Sequence, residues 1–202
     1  MTMLLSLLAA LTLAQAGAET APPPGQTDLV TLGEADAPVI VHAYMSPTCP
    51  HCADFYRDAL PLIEKDLIEP GKMQLIIRGL PSQPVGMSVA GMMVIECAPD
   101  SRAAADRIFN QQHEWIEQAK AGDPKPFLEE TAAEAGLSAE ETEICMTDQA
   151  LAESLYNGGG AAADAYGFTG VPSFLVNGEP VGGDKLTTID DWRAVVEAAS
   201  DE

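Results

Sequence analysis

The chain has 202 residues, enough for one domain or for one domain carrying a sizeable insertion. Apolar residues make up 47%, ample for a core. Acidic residues outnumber basic ones 31 to 10, which excludes the positive footprint of a nucleic-acid binder and predicts a strongly solvated acidic surface.

Residues 1–18 read as an export signal. Leu4 to Leu13 form an apolar run too short to span a bilayer, and Ala14-Gln15-Ala16 and Ala16-Gly17-Ala18 offer small-x-small cleavage sites. The segment before the apolar run carries neither Lys nor Arg, so an uncleaved anchor or a mis-assigned start codon is the alternative. Residues 19–27, with three consecutive prolines, read as a disordered leader. No later run is long and apolar enough for a transmembrane helix. Export implies an oxidising compartment, in which disulfide chemistry is useful.

Asp28 to Leu32 reads as a short edge strand and Gly33 to Ala37 as a turn. From Val39 to Met45 both alternating sets of side chains are largely apolar, the pattern of a central strand covered on both faces. His42, within it, reads as a hydrogen-bonded core histidine. The stretch Tyr44 to Arg57, Y-M-S-P-T-C-P-H-C-A-D-F-Y-R, then places Cys49 and Cys52 three apart at the start of a helix. That spacing puts both side chains on one helix face, close enough for a disulfide without backbone movement. The helix N-terminus offers unpaired N–H groups and partial positive charge, so a thiolate at Cys49 is stabilised and its pKa depressed. His51, when protonated, adds positive charge, and Pro50 fixes φ in the first turn. The helix is expected to run to about Leu67, kinked near Pro61. Met73 to Ile77 is the next strand, closed by Arg78-Gly79-Leu80-Pro81; strand–helix–strand implies a parallel crossover.

A long helical stretch follows, from Val85 to about Tyr166. Met87, Gly91, Val94, Ile95 and Ala98 mark one amphipathic face, and Ala104, Ile108, Trp115 and Ala119 form the stripe of a second helix. Asp123-Pro124 opens a third that Gly136 closes, and Ser138-x-x-Glu141 is a capping box for a fourth. A fifth begins near Asp148, carries Leu151 and Leu155, and is expected to break at Gly158-Gly159-Gly160. The methionines read as core rather than as a binding surface. Ser173 to Asn177 and Glu179 to Val181 are strands joined by an Asn177-Gly178 turn. A last helix, about Thr188 to Ala199, buries Trp192, Val195 and Val196, with Thr187 or Thr188 as its cap.

C-P-H-C after a hydrophobic strand resembles the active site of DsbA-type thiol–disulfide oxidoreductases, members of the thioredoxin-like superfamily. Gly170-Val171-Pro172-Ser173-Phe174 resembles the cis-proline loop that faces the cysteines in that family. The resemblance runs from about Val30 to the last helix. It implies an α/β, thioredoxin-like fold with an inserted all-helical domain: the thioredoxin-like core is drawn from residues 28–83 and 167–202, and the insertion between them covers 84–166. Cys49, Pro50, His51, Cys52 and Pro172 would be the catalytic set, and Val171 would bind and release substrate. Four cysteines permit three pairings. The resemblance implies a structural Cys97–Cys145 bond, with two unpaired thiols as the alternative; such a bond closes a loop of about 49 residues, worth about 4 kcal/mol at most in loop-closure entropy. No metal and no cofactor is expected, since a four-cysteine zinc site would have to draw two ligands from each domain.

The function implied is a monomeric, periplasmic dithiol oxidase that donates a Cys49–Cys52 disulfide to reduced, unfolded exported proteins, with a membrane quinone-linked partner resembling DsbB to regenerate it. A disulfide reductase or isomerase is one alternative; isomerases of this kind usually carry a dimerisation domain ahead of the fold, where only a short leader is read here. A non-enzymatic, chaperone-like peptide-binding module is the other. One position departs from the family pattern. Six residues before the first cysteine many relatives have a buried acid, and here the residue is Ala43. His42 points to the other face of the strand and is a poor substitute.

Overall fold

The computed structural model describes residues 27–200; the expected signal and most of the leader lie outside the described residues. A five-stranded sheet is built from β1 (Asp28–Leu32), β2 (Val39–Met45), β3 (Met73–Gly79), β4 (Ser173–Val176) and β5 (Glu179–Val181), in the spatial order β1-β3-β2-β4-β5. β2 and β3 run parallel, with Val39 opposite Met73 and Met45 opposite Gly79. β1 on β3, β4 on β2 and β5 on β4 are antiparallel. β1 is therefore an edge strand, as its short, half-polar sequence predicts, and β2 is central. The Asn177-Gly178 turn joining β4 to β5 has φ of 48° and 87°, the left-handed pair a tight hairpin needs.

The first helix, α1, covers residues 50–68. It begins as an ordinary helix at Pro50–Asp54, widens to π turns at Phe55–Ala59 and Glu64–Ile68, and tightens between them at Leu60–Ile63. Pro61, which has no N–H to give, sits at the start of that tight segment. The perturbation expected at Pro61 thus takes the form of wider turns on either side of it.

Six helices follow between β3 and β4: α2 (Val85–Cys97), α3 (Ser101–Asn110), α4 (Gln112–Lys120), α5 (Lys125–Glu134), α6 (Ala139–Thr147) and α7 (Gln149–Tyr166). The single second helix expected from the Ala104–Ala119 stripe is two, broken at Gln111. α2 is not amphipathic. It buries Ser88, Val89 and every residue from Gly91 to Ile95, because neighbours cover it on most sides, while Met87 is only partly covered. Ser138 and Glu141 make both bonds of the capping box that opens α6.

The triple glycine does not break α7, contrary to expectation. The helix runs through it to Tyr166 because Gly158 and Gly159 are buried and Gly159 lies against the end of β3. A Cβ on Gly159 would stand 2.6 Å from Cδ of Pro81 and 2.9 Å from the Gly79 carbonyl oxygen. Backbone contact offsets a helix-propensity cost of about 1 kcal/mol per glycine.

The last helix, α8 (Ile189–Ser200), buries Trp192 and Val196 and is capped by Thr188, whose Oγ1 accepts from the Asp191 N–H at 3.2 Å. Phe55 of α1, Phe174 of β4 and Trp192 of α8 form one aromatic cluster, with centroids 5.1–5.9 Å apart. Burying each such ring contributes about 1.5–3 kcal/mol, and the cluster pins α1 and α8 to one face of the sheet. Tyr56 stacks on Phe109 and donates to Asp106 at 2.8 Å, which docks the helical block onto α1. Met92 and Met93 are core residues. Cys97 and Cys145 are bonded to each other, joining the end of α2 to α6.

Candidate active site

Two loops meet at the N-terminus of α1. The first is Ser46-Pro47-Thr48-Cys49, leaving β2. Cys49 is the residue ahead of the first helical turn, extended at φ −85° and ψ 121°, and Pro50 occupies the first helical position. The Cys49 carbonyl accepts from the N–H groups of Cys52 (3.1 Å) and Ala53 (3.2 Å), the opening bonds of α1. Cys49 and Cys52 are both thiols and both buried, whereas His51 is exposed at the rim.

The second loop leads into β4. The Val171–Pro172 peptide bond is cis, and the Cys49 thiol donates to the Val171 carbonyl at 3.4 Å. Residues 122 positions apart thus meet at one sulfur. Cys49, Pro50, His51, Cys52, Val171 and Pro172 are all brought together. Cys97 and Cys145 lie in the helical block, paired with each other and apart from the two free thiols.

The two thiols are inequivalent. Cys49 is held down from the ordinary 9.0 to about 6. The largest cause is the Cys52 thiol, donating to the Cys49 sulfur; the N–H groups of Cys52 and His51 and the His51 charge add to it, against partial burial. The helix terminus and His51 therefore contribute as the sequence predicts, but the leading donor is the partner thiol. Cys52 is pushed well above 9.0, first by burial, then by giving its proton toward Cys49, and the Ser46 N–H at 3.4 Å only partly offsets this. Ala43 is fully buried opposite Ile77 on one neighbouring strand and Phe174 on the other, so no side-chain carboxylate is supplied from that position. His42 is in the core, as expected; burial, then the nearby Arg78 guanidinium, hold it down to about 4, so it is neutral at ordinary pH.

Two further residues shape the loop and were not singled out from sequence. Ser46 Oγ is the hub of a hydroxyl cluster, 2.8 Å from Ser88 Oγ and from Ser82 Oγ and 3.2 Å from Thr48 Oγ1. Gln112, in the helical block, donates from Nε2 to the carbonyls of Pro47 (2.7 Å) and Cys49 (3.0 Å). One signal for it was present: Gln112 interrupts the apolar stripe through Ala104, Ile108, Trp115 and Ala119 at a helical spacing from Ile108. Among the described residues no group of three or more His, Cys, Asp or Glu is placed to hold a metal ion, and no helix is long and apolar enough to cross a membrane.

The family model described as Thioredoxin matches residues 26–198. Among curated proteins, a Rickettsia typhi protein provisionally named protein-disulfide oxidoreductase is 30% identical over 176 residues, covering 86% of this chain and 63% of that protein. A Rickettsia conorii protein of the same name is 29% identical, over 79% of this chain and 57% of its own length. The chain thus spans less than two thirds of the length of these relatives. Among solved structures, α-DsbA1 of Wolbachia pipientis superposes with a TM-score of 0.72 at 22% identity, covering 89% of this chain and 92% of that one. A protein-disulfide isomerase of Novosphingobium aromaticivorans superposes with a TM-score of 0.70 at 20% identity, over 88% and 98%. These two likenesses concern the fold.

Proposed function

The chain belongs to the thioredoxin family, in relation to DsbA-like thiol–disulfide oxidoreductases, and from that premise we propose that it is a dithiol oxidase donating a Cys49–Cys52 disulfide to reduced, unfolded proteins. The observation that carries this reading is the inequivalence of the two sulfurs: Cys49 ionises at about 6, while Cys52 is buried and held protonated.

A substrate thiolate attacks Cys49 of the oxidised protein. The Cys49–Cys52 bond breaks, a mixed disulfide forms at Cys49, and Cys52 leaves and takes up a proton. The substrate's second thiolate then attacks the substrate sulfur of that mixed disulfide. The substrate disulfide forms, Cys49 leaves as thiolate, and the protein ends reduced by two electrons. A low pKa makes Cys49 a good leaving group in the second step. It also stabilises the reduced form, which makes the protein disulfide oxidising. Val171 and Pro172 present backbone beside Cys49, where an extended substrate can pair with the Val171 main chain. The reverse sequence, in which Cys52 resolves a mixed disulfide, needs Cys52 deprotonated; burial holds it protonated, and position 43 supplies no carboxylate to take that proton. The geometry therefore favours oxidation over reduction or isomerisation. The setting that suits this chemistry is the periplasm, with a quinone-linked membrane oxidase resembling DsbB restoring the disulfide to a monomer.

The test is the equilibrium of the Cys49–Cys52 disulfide with glutathione, measured together with oxidation of a reduced unfolded peptide, insulin reduction and disulfide scrambling. The oxidase reading expects rapid peptide oxidation, weak insulin reduction and a disulfide that glutathione readily reduces. A disulfide that persists in strongly reducing glutathione rejects it.

A further inference from the structure

Gln112 is the first residue of α4, and it is buried. Its amide nitrogen is committed entirely to the redox loop, through the carbonyls of Pro47 and Cys49. The Cys49 carbonyl is the one from which α1 starts, so a single oxygen gathers the Cys52 and Ala53 N–H groups and the Gln112 side chain. Pro47 has no N–H, and its backbone can be held by hydrogen bonding only through that carbonyl. The surrounding contact leaves little room for the loop to shift. A Cβ on Gly91 of α2 would lie 2.9 Å both from Pro47 Cβ and from Cη2 of the fully buried Trp115, so only glycine allows α2, α4 and the loop to pack this closely. His113 and Glu114, next on α4, are exposed.

We propose that Gln112 is a positioning residue for the redox thiol: by fixing the Cys49 carbonyl it aims the donors of the first turn of α1 at the Cys49 sulfur, so that the helical block sets the reactivity of the thioredoxin core. Gln112 touches neither sulfur and acts only through the backbone. This inference rests on the oxidase reading above.

The test compares the wild-type protein with Gln112→Met, which keeps length but has no donor, and with Gln112→Asn, which keeps the uncharged amide but is one methylene too short to reach both carbonyls. Each is followed by the thiolate ultraviolet absorbance of Cys49 against pH, by the glutathione equilibrium constant, and by thermal melting. Both variants are expected to raise the Cys49 pKa by about one unit, and to shift the glutathione equilibrium about tenfold toward the protein disulfide. Where Gln112→Met does not melt cooperatively, Gln112→Asn carries the same measurement. Folded variants that melt earlier, yet keep the wild-type pKa and equilibrium constant, overturn the inference and leave the oxidase reading standing. A wild-type Cys49 that ionises like a free thiol overturns both before any variant is compared.

Discussion

The Cys49 sulfur and the Val171 carbonyl oxygen stand 3.4 Å apart, joining the start of α1 to the loop before β4. The protonated thiol has an acceptor there, and the thiolate has the Cys52 thiol and the first-turn N–H groups as donors. Ionisation therefore exchanges one set of contacts for another.

The reduced protein should gain stability over the oxidised protein as pH rises from about 6 toward 9. Cys49 has its folded pKa depressed from 9.0 to about 6, so its contribution is fully present above 9.0 and is lost as pH falls through about 6. Cys52 is shifted upward, and its contribution is lost only as pH rises beyond 9.0. The oxidised protein titrates neither. Melting temperatures of both forms across this range check the sign, and a difference that does not vary with pH rejects it. Thiolate absorbance should show a step near pH 6 that Cys49→Ser removes.

Ala43→Glu should place a carboxylate in the buried sheet between Ile77 and Phe174. Ala43 is fully buried between neighbouring strands, so the larger side chain should destabilise the fold by about 1–3 kcal/mol. Insulin reduction, which needs Cys52 as a nucleophile, should accelerate and acquire a new pH dependence. An unchanged rate at every pH removes the idea that proton transfer to and from Cys52 limits the reverse reaction.

Gly159→Ala and Gly160→Ala should move stability in opposite directions. The first places a methyl group 2.6 Å from Pro81 Cδ and should cost about 1–3 kcal/mol. The second has nothing within 4 Å and should gain up to about 1 kcal/mol from helix propensity. Denaturant titration of the two variants decides it; equal effects would mean that the approach of α7 to the end of β3 is not what retains the glycine.

Replacing Cys97 and Cys145 together by alanine should destabilise the fold by up to about 4 kcal/mol, since the bond closes a 48-residue separation. Denaturant midpoints of the oxidised wild type and the double variant measure this. A loss below about 1 kcal/mol would show that helix packing alone holds α2 against α6.

The candidate site was legible because it is local. Cys49 and Cys52 lie on one helix face through covalent spacing alone, and Pro50 marks the start of that helix wherever the helix goes. The strands, the Asn177-Gly178 turn and the capping box at Ser138 were legible for the same reason: each is written in fewer than ten consecutive residues. That position 43 holds alanine and not an acid needs only counting back from Cys49.

What could not be read comes from contacts between distant residues. Gly158-Gly159-Gly160 looks like a helix end, yet α7 passes through it because the end of β3 arrives there, and nothing near the glycines in sequence announces that neighbour. Gln112 looks like a polar flaw in an apolar stripe; its two carbonyl partners are more than sixty positions away. That the strongest donor to Cys49 is the Cys52 thiol, itself fully buried, likewise shows only in the folded chain. Short-range geometry chose the candidate sulfurs, and long-range packing chose their environment, because a hydrogen bond or a desolvation cost depends on which surfaces close around an atom.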